Sequence, residues 1–288
     1  MLKLIKRIVI SVIAGLLIAI VLVIAFQEAV LFPGVYVSTR SLDGDPAVFP
    51  DNAEKFFLQT ADGNKVEVWR MPGDETGPLA DRGYVAAVFH GNGGSLEYFT
   101  YLQQFFASLG VTSYAMDYRG YGRSTGWPKE QAVLSDVDEL WLTIRDREAI
   151  TPQDLLVLGY SIGTGPASYL AAQLHPAALM LIAPYASIPK LLETHEFWGE
   201  YAFIFRWALR SNFDTEGWVS KLMDTALFIT HGTDDRIIQE LHSHIVEGAY
   251  HGSGKLQAIY VDGAGHGDIF WQTKGELAKF ITGLQSRR

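Results

Sequence analysis

From Ile8 to Phe26 the chain holds no charged residue, and nearly every position is Ile, Leu, Val or Ala. Wound as a helix, that run spans roughly 28 Å, close to the roughly 30 Å hydrocarbon core of a bilayer. It predicts a transmembrane helix. Beyond it the pattern changes. Gly34 to Pro50 is rich in Gly, Pro, Asp and Ser and reads as linker. Phe56 to Trp69 predicts two strands around the turn Asp62-Gly63-Asn64. From Tyr84 onward short apolar runs alternate with longer amphipathic ones. Strands are expected over 84–90, 111–117, 155–159, 178–183, 226–231 and 256–261. Helices are expected over 95–109, 129–147, 162–174, 189–209, 237–247 and 268–284. Antiparallel strands first, then strand-helix alternation, imply an α/β fold with a mostly parallel sheet and helices on both faces. The chain divides into a basic stub (1–7), an apolar anchor (8–26), a linker and entry (27–55) and one globular domain (56–288). The insertion between the strands at 178 and 226 is too short to build a separate cap.

Charge orients the anchor. Lys3, Lys6 and Arg7 precede the apolar run, and Arg40 is the first basic residue after it. The positive-inside rule keeps the N-terminus cytoplasmic and the domain extracytoplasmic, which is periplasmic in a bacterium. A cleaved leader, cut after Val23-Ile24-Ala25, is the alternative. The 288 residues are 48% hydrophobic with a net charge of -9. An acidic balance argues against nucleic acid as a partner. The absence of cysteine excludes disulfides, thiolate metal sites and a cysteine nucleophile.

The chemistry starts at Leu155-Leu-Val-Leu-Gly-Tyr-Ser-Ile-Gly163, where an apolar strand stops at a glycine and Ser161 follows. Ligands in open parallel sheets meet the carboxyl ends of the strands. Gly159-x-Ser161-x-Gly163 fits the sharp strand-to-helix turn that raises a serine hydroxyl above a sheet. The helix after it directs free N–H groups at any developing oxyanion. A serine needs a base, and there are eight histidines. His175 sits before a proline, His195 in the aromatic insertion, and His251 in a Gly-rich turn. His242 and His244 share a helix but differ by two positions, so they do not face the same way. His231 ends a strand, and His90 belongs to a Gly-rich loop. His266 lies among glycines between the last strand and the last helix, free to reach across the strand ends. The acid that would hold its tautomer comes from the loop carrying Asp234 and Asp235.

Four stretches together resemble the α/β-hydrolase superfamily, in particular its small, nearly lidless serine hydrolases. They are His90-Gly-Asn-Gly-Gly94, Asp117-Tyr-Arg-Gly-Tyr-Gly-Arg-Ser124, the serine turn, and His231-Gly-Thr-Asp-Asp235. The resemblance covers about Phe56 to the C-terminus and implies the α/β-hydrolase fold. It favours Asp235 over Asp234 as the acid and gives the chain order Ser161, Asp235, His266. It also implies an oxyanion hole made by the backbone N–H groups of Ile162 and Asn92, with His90 holding the loop. The loop of Arg119 is read as structural, lining the mouth of the site. Arg119 as a ligand for a substrate carboxylate is the less favoured reading.

The expected activity is ester hydrolysis through an acyl-enzyme, with no metal or organic cofactor. Amidase, peptidase or thioesterase action is the alternative within the fold, and a binding protein without turnover is the alternative outside it. The insertion is rich in aromatics: Phe197, Trp198, Tyr201, Phe203, Phe205, Trp207 and Trp218. Packing on the sheet explains such residues. An acyl pocket or a face near the bilayer, with Arg206 and Arg210 beside it, is the functional reading. A small-molecule or lipid-like acyl substrate follows.

Overall fold

The computed structural model describes residues 2–34, 52–194 and 199–284. Helix α1 (Leu2–Leu31) opens the chain. Its stretch Lys3–Leu22 has a mean hydropathy of 2.5, and none of it is buried by the rest of the protein. The helix runs on past Phe26, so the segment expected as linker begins in helix. It carries Gln27 and Glu28 into burial against the domain, and Phe32 follows into the core. The rest of the expected linker, 35–51, lies outside the described residues.

Eight strands form one sheet in the order β1-β2-β4-β3-β5-β6-β7-β8. They are β1 (Glu54–Gln59), β2 (Lys65–Met71), β3 (Val85–Phe89), β4 (Thr112–Met116), β5 (Leu155–Tyr160), β6 (Ala178–Ile182), β7 (Ala226–Gly232) and β8 (Leu256–Val261). The hairpin β1–β2 closes Gln59 against Lys65, and Gly63 takes the left-handed conformation its turn needs (φ 81°). β2 runs antiparallel to β4, and every later pairing is parallel. The chain steps from β3 outward to β4, then back across to β5 on the other side of β3. Strand order therefore reverses between β3 and β5, the place where open α/β sheets take their ligands, outside the carboxyl ends of the strands.

The larger helices are α2 (Leu96–Ser108), α3 (Glu130–Glu148), α4 (Thr164–Leu174), α5 (Ile188–Thr194), α6 (Leu241–Ala249) and α7 (Ile269–Thr282). They cover both faces. Val85, Ala87 and Phe89 of β3 turn to one side, against Val133, Val137 and Leu140 of α3 and Leu170 of α4. Ala86 and Val88 turn to the other, against Leu102 and Phe106 of α2 and Phe280 of α7. Burial on both sides is why these strands read as unbroken apolar runs. Each large side chain so buried stabilises the fold by roughly 1.5–3 kcal/mol.

Two helices differ from expectation. The single helix expected over 189–209 ends at Thr194 in α5, and Gly199–Ala208 forms a chain of short turns. Gly199 lies against the end of α5, where a Cβ would meet the Glu193 carbonyl oxygen at 2.5 Å. The helix expected from Ile237 begins at Leu241. The Asp235 carboxylate accepts the Ile237 and Ile238 N–H groups at 2.8 and 2.9 Å, and His231 donates to the Ile238 carbonyl at 2.8 Å. The two N–H bonds are those of a helix cap, but the captured Ile238 carbonyl is the acceptor the His242 N–H would need in a helix running from Ile237, and that N–H bonds Gln239 instead.

Candidate active site

The serine turn is dictated by close packing. Ser161 has φ 55°, a left-handed conformation that costs a non-glycine residue about 1–3 kcal/mol. A Cβ on Gly159 would sit 2.5 Å from the Gly163 carbonyl oxygen. A Cβ on Gly163 would sit 2.2 Å from the Phe89 oxygen and 2.7 Å from the His90 oxygen. Those contacts press the turn after β5 against the loop after β3, backbone to backbone. They bring Ile162 beside the His90–Gly94 loop.

The three residues singled out from different strand ends meet. His266 Nδ1 lies 2.6 Å from Asp235 Oδ2, and His266 Nε2 lies 2.9 Å from Ser161 Oγ. A carboxylate only accepts, so Nδ1 carries the proton. Nε2 is then left bare and accepts the Ser161 hydroxyl. Tyr160, the residue before the serine, donates its hydroxyl to the His266 carbonyl and ties the histidine loop to the turn. Ser161 is 4% exposed and the Asp235 side chain fully buried, while His266 keeps partial exposure. Asp234 is exposed and makes no such contact.

Burial pushes the Asp235 carboxyl up. Hydrogen bonds from His231, His266 and the Ile238 N–H outweigh it, and the group stays well below the usual carboxylate range. His231 is the residue sequence reasoning passed over. Its Nε2–H donates to the Ile238 carbonyl and lies 3.2 Å from Asp235 Oδ2, while its Nδ1 accepts the Ser243 hydroxyl at 2.5 Å. The signal was its position four residues before Asp235.

The loop after β3 is held from several sides. His90 Nδ1–H donates to the Gly91 carbonyl at 2.7 Å, and Tyr118 donates to the His90 carbonyl at 2.8 Å. The first bond fixes the peptide plane that carries the Asn92 N–H. That N–H has no hydrogen-bond partner among the described residues. His90 thus holds the loop. Arg119 is engaged elsewhere: its guanidinium pairs two-fold with buried Asp136 at 2.7 Å and also meets Asp62. It is committed to the fold rather than open to a substrate carboxylate.

The other histidines are accounted for. His242 accepts the Ala186 N–H and meets Thr194 Oγ1 at 2.7 Å. His244 stacks on Tyr260, His175 ends α4, and His251 is exposed. His195, Phe197 and Trp198 lie outside the described residues. In the rest of the insertion Phe203 and Trp207 are exposed at 76% and 71%, while Trp218 packs against Tyr169.

A serine on a tight turn at the switch point, with a histidine and an acid from later strand ends, belongs to a known class of fold. A family model described as the alpha/beta hydrolase fold matches residues 88–233. The chain belongs to that family. Alpha/beta hydrolase domain-containing protein 17B of Homo sapiens is 30% identical over 243 residues, covering 81% of this chain and 76% of that protein. Alpha/beta hydrolase domain-containing protein 17C of Mus musculus is 29% identical, covering 81% and 68%. Among solved structures, the Pyrococcus furiosus esterase Pf2001 superposes with a TM-score of 0.65 at 14% identity, covering 86% of this chain and 96% of that one. Est1E of Butyrivibrio proteoclasticus, solved with ferulic acid bound, gives a TM-score of 0.63 at 17% identity over 80% and 98%. The fold expected from the sequence is the fold found.

Proposed function

We propose that the protein is a membrane-anchored serine hydrolase that cleaves carboxylic esters through an acyl-enzyme. The observation that supports this most is the continuous path Ser161 Oγ–His266 Nε2, 2.9 Å, and His266 Nδ1–Asp235, 2.6 Å. Ser161 Oγ attacks the ester carbonyl carbon while its proton passes to His266 Nε2. The carbonyl oxygen becomes an oxyanion, held by the backbone N–H groups of Ile162 and Asn92. The tetrahedral species collapses, the C–O bond to the alcohol breaks, and the imidazolium returns its proton to the leaving oxygen. Water then attacks the acyl-enzyme with the same base, and Ser161 leaves protonated. Asp235 keeps the His266 tautomer and stabilises the imidazolium throughout. Amides and thioesters would use the same groups. No step requires a metal or an organic cofactor.

The anchor reading is supported by the bare apolar surface of Lys3–Leu22, which nothing in the domain covers. Lipid would cover it. With Lys3, Lys6 and Arg7 on the cytoplasmic side, the domain is extracytoplasmic. The turn Arg206–Ala208 packs on α1, so exposed Trp207 sits near the base of the anchor, as does exposed Val30. Aromatic side chains favour the headgroup layer. This favours substrates at the bilayer surface, such as acyl esters of lipids or of lipid-modified molecules.

The test uses the full chain in detergent micelles with p-nitrophenyl esters of increasing acyl length. Turnover that rises with chain length and vanishes in Ser161→Ala is expected. Turnover unchanged by that substitution would sink the mechanism. A flat chain-length profile would sink the lipid-like substrate.

A further inference from the structure

The end of α1 is joined to the candidate oxyanion loop. The last carbonyls of a helix have no partner within it. The Leu31 carbonyl, at the last position of α1, accepts the side-chain amide of Asn92 at 3.2 Å. Phe32, 1% exposed, then enters the core edge-on to Tyr118 and Tyr121, with ring centroids 5.9 and 6.3 Å away, and meets Phe213 at 5.9 Å. The Gly34 N–H donates to the Tyr121 hydroxyl at 3.3 Å, and that hydroxyl donates to the Asn92 carbonyl at 3.2 Å. Two bonds from the juxtamembrane segment therefore converge on Asn92, one to its side chain and one through Tyr121 to its carbonyl. A third connection runs from Phe32 through Tyr118, whose hydroxyl holds the His90 carbonyl of the same loop. The helix end is itself fastened to the domain. Arg210 donates its backbone N–H to Gln27 at 2.6 Å and pairs with buried Glu28 at 2.8 Å.

We propose that the juxtamembrane end of α1 positions the oxyanion loop, with the Asn92 side chain, Phe32 and Tyr121 as positioning residues. The inference rests on the reading of the Asn92 backbone N–H as an oxyanion donor. The anchor is then a working part of the active site as well as a tether. The physical reason is the narrow tolerance of such a donor. Loss of one oxyanion donor lowers kcat about 10²–10³-fold, and a displacement of about 1 Å can cost about 10²-fold. Asn92 lies in a loop of glycines, where the backbone itself imposes little restraint. External bonds must set the direction of its N–H.

The experiment uses the full chain in detergent micelles, with Asn92→Ala, Tyr121→Phe and Phe32→Leu beside wild type and Ser161→Ala. Asn92→Ala keeps the backbone donor and removes only the link to Leu31. Tyr121→Phe keeps the buried ring and removes only the hydroxyl, so both variants are expected to fold. Competent serine is counted by endpoint titration with a fluorophosphonate. Rates per competent serine are measured for an ester and for the thionoester with the same leaving group. Sulfur accepts hydrogen bonds poorly, so the ester-to-thionoester ratio reports the oxyanion donors themselves. Asn92→Ala and Tyr121→Phe should each lower kcat on the ester about tenfold or more with KM little changed, and should lower the ratio. Both substrates slowed equally, with the ratio intact, would make the contacts structural only and overturn the proposal. Unchanged rates in both variants, with Ser161→Ala inactive, would overturn it while leaving the serine hydrolase reading in place. Turnover surviving in Ser161→Ala would remove that reading and the proposal with it.

Discussion

Replacing Asp235 by asparagine changes one oxygen to an NH2 group inside a fully buried site. The carboxylate has two sides. Oδ1 accepts the Ile237 and Ile238 N–H groups, and Oδ2 accepts His266 Nδ1–H with His231 Nε2 close by. An amide can serve only one side with its oxygen. If the NH2 faced the two backbone donors, both would lose their acceptor, and the buried Ile238 N–H alone would cost roughly 1–3 kcal/mol. A peptide cannot move its proton, but an imidazole can. The amide therefore keeps its oxygen on Ile237 and Ile238 and turns its NH2 toward His266. His266 answers by presenting a bare Nδ1 and carrying its proton on Nε2. That proton then points at Ser161 Oγ, and the base is gone. A wrong-tautomer histidine costs about 10⁴ in kcat, or about 5 kcal/mol of transition-state stabilisation. The assay is kcat on a p-nitrophenyl ester at neutral pH, per titrated serine, for wild type, Asp235→Asn and Asp234→Asn. Asp234 is exposed, so its variant should match wild type. An Asp235→Asn enzyme within about tenfold of wild type would refute the reasoning.

Two further outcomes follow from the same geometry. Ser161 pays for its left-handed backbone at φ 55°, so Ser161→Gly should unfold at a higher temperature than Ser161→Ala, by roughly 1 kcal/mol of stability, with both expected to be inactive. Equal midpoints would remove the strain. Burial pulls the His242 imidazole down to about 4 from its usual 6.5. The unfolded chain then takes up a proton that the folded chain refuses, so stability falls as pH drops from about 6.5 toward about 4, by roughly 3 kcal/mol at most, and levels below. His242→Gln should flatten that limb of the thermal midpoint against pH. An unchanged slope would contradict it.

How far the sequence could be read depended on the range of the forces involved. The serine turn was legible because its constraint is local: Gly159 and Gly163 are required by backbone approaches of 2.5 and 2.2 Å, and no larger residue fits. The central strands β3, β5 and β6 were legible because burial on both faces leaves them uninterrupted apolar runs. The α/β-hydrolase fold followed from these and the motif order. Elements set by distant contacts were not. The start of α6 depends on His231 capturing the Ile238 carbonyl, an acceptor that a helix running from Ile237 would have used. The insertion forms short turns over Gly199–Ala208 where an aromatic helical stretch is expected. Phe32 fell inside the segment expected as linker, yet it fills a core site among Tyr118, Tyr121 and Phe213. The partner of the Asn92 side chain is a backbone carbonyl at Leu31, which no residue-type pattern records. Asp235 over Asp234 rested on family spacing, and the geometry gives the physical reason: only Asp235 turns inward, where His231 and His266 meet it.

The central claim is that Ser161 forms a covalent acyl-enzyme. The most direct measurement is intact-mass and peptide mass spectrometry of the full chain, in detergent, after a short exposure to a fluorophosphonate and, separately, to a slowly hydrolysed ester. The account predicts one adduct per chain on the peptide containing Ser161. It predicts that the acyl adduct decays with water while the phosphonyl adduct persists, and that neither forms in Ser161→Ala. An adduct on another residue, or ester turnover in a chain whose Ser161 stays unmodified, would contradict it.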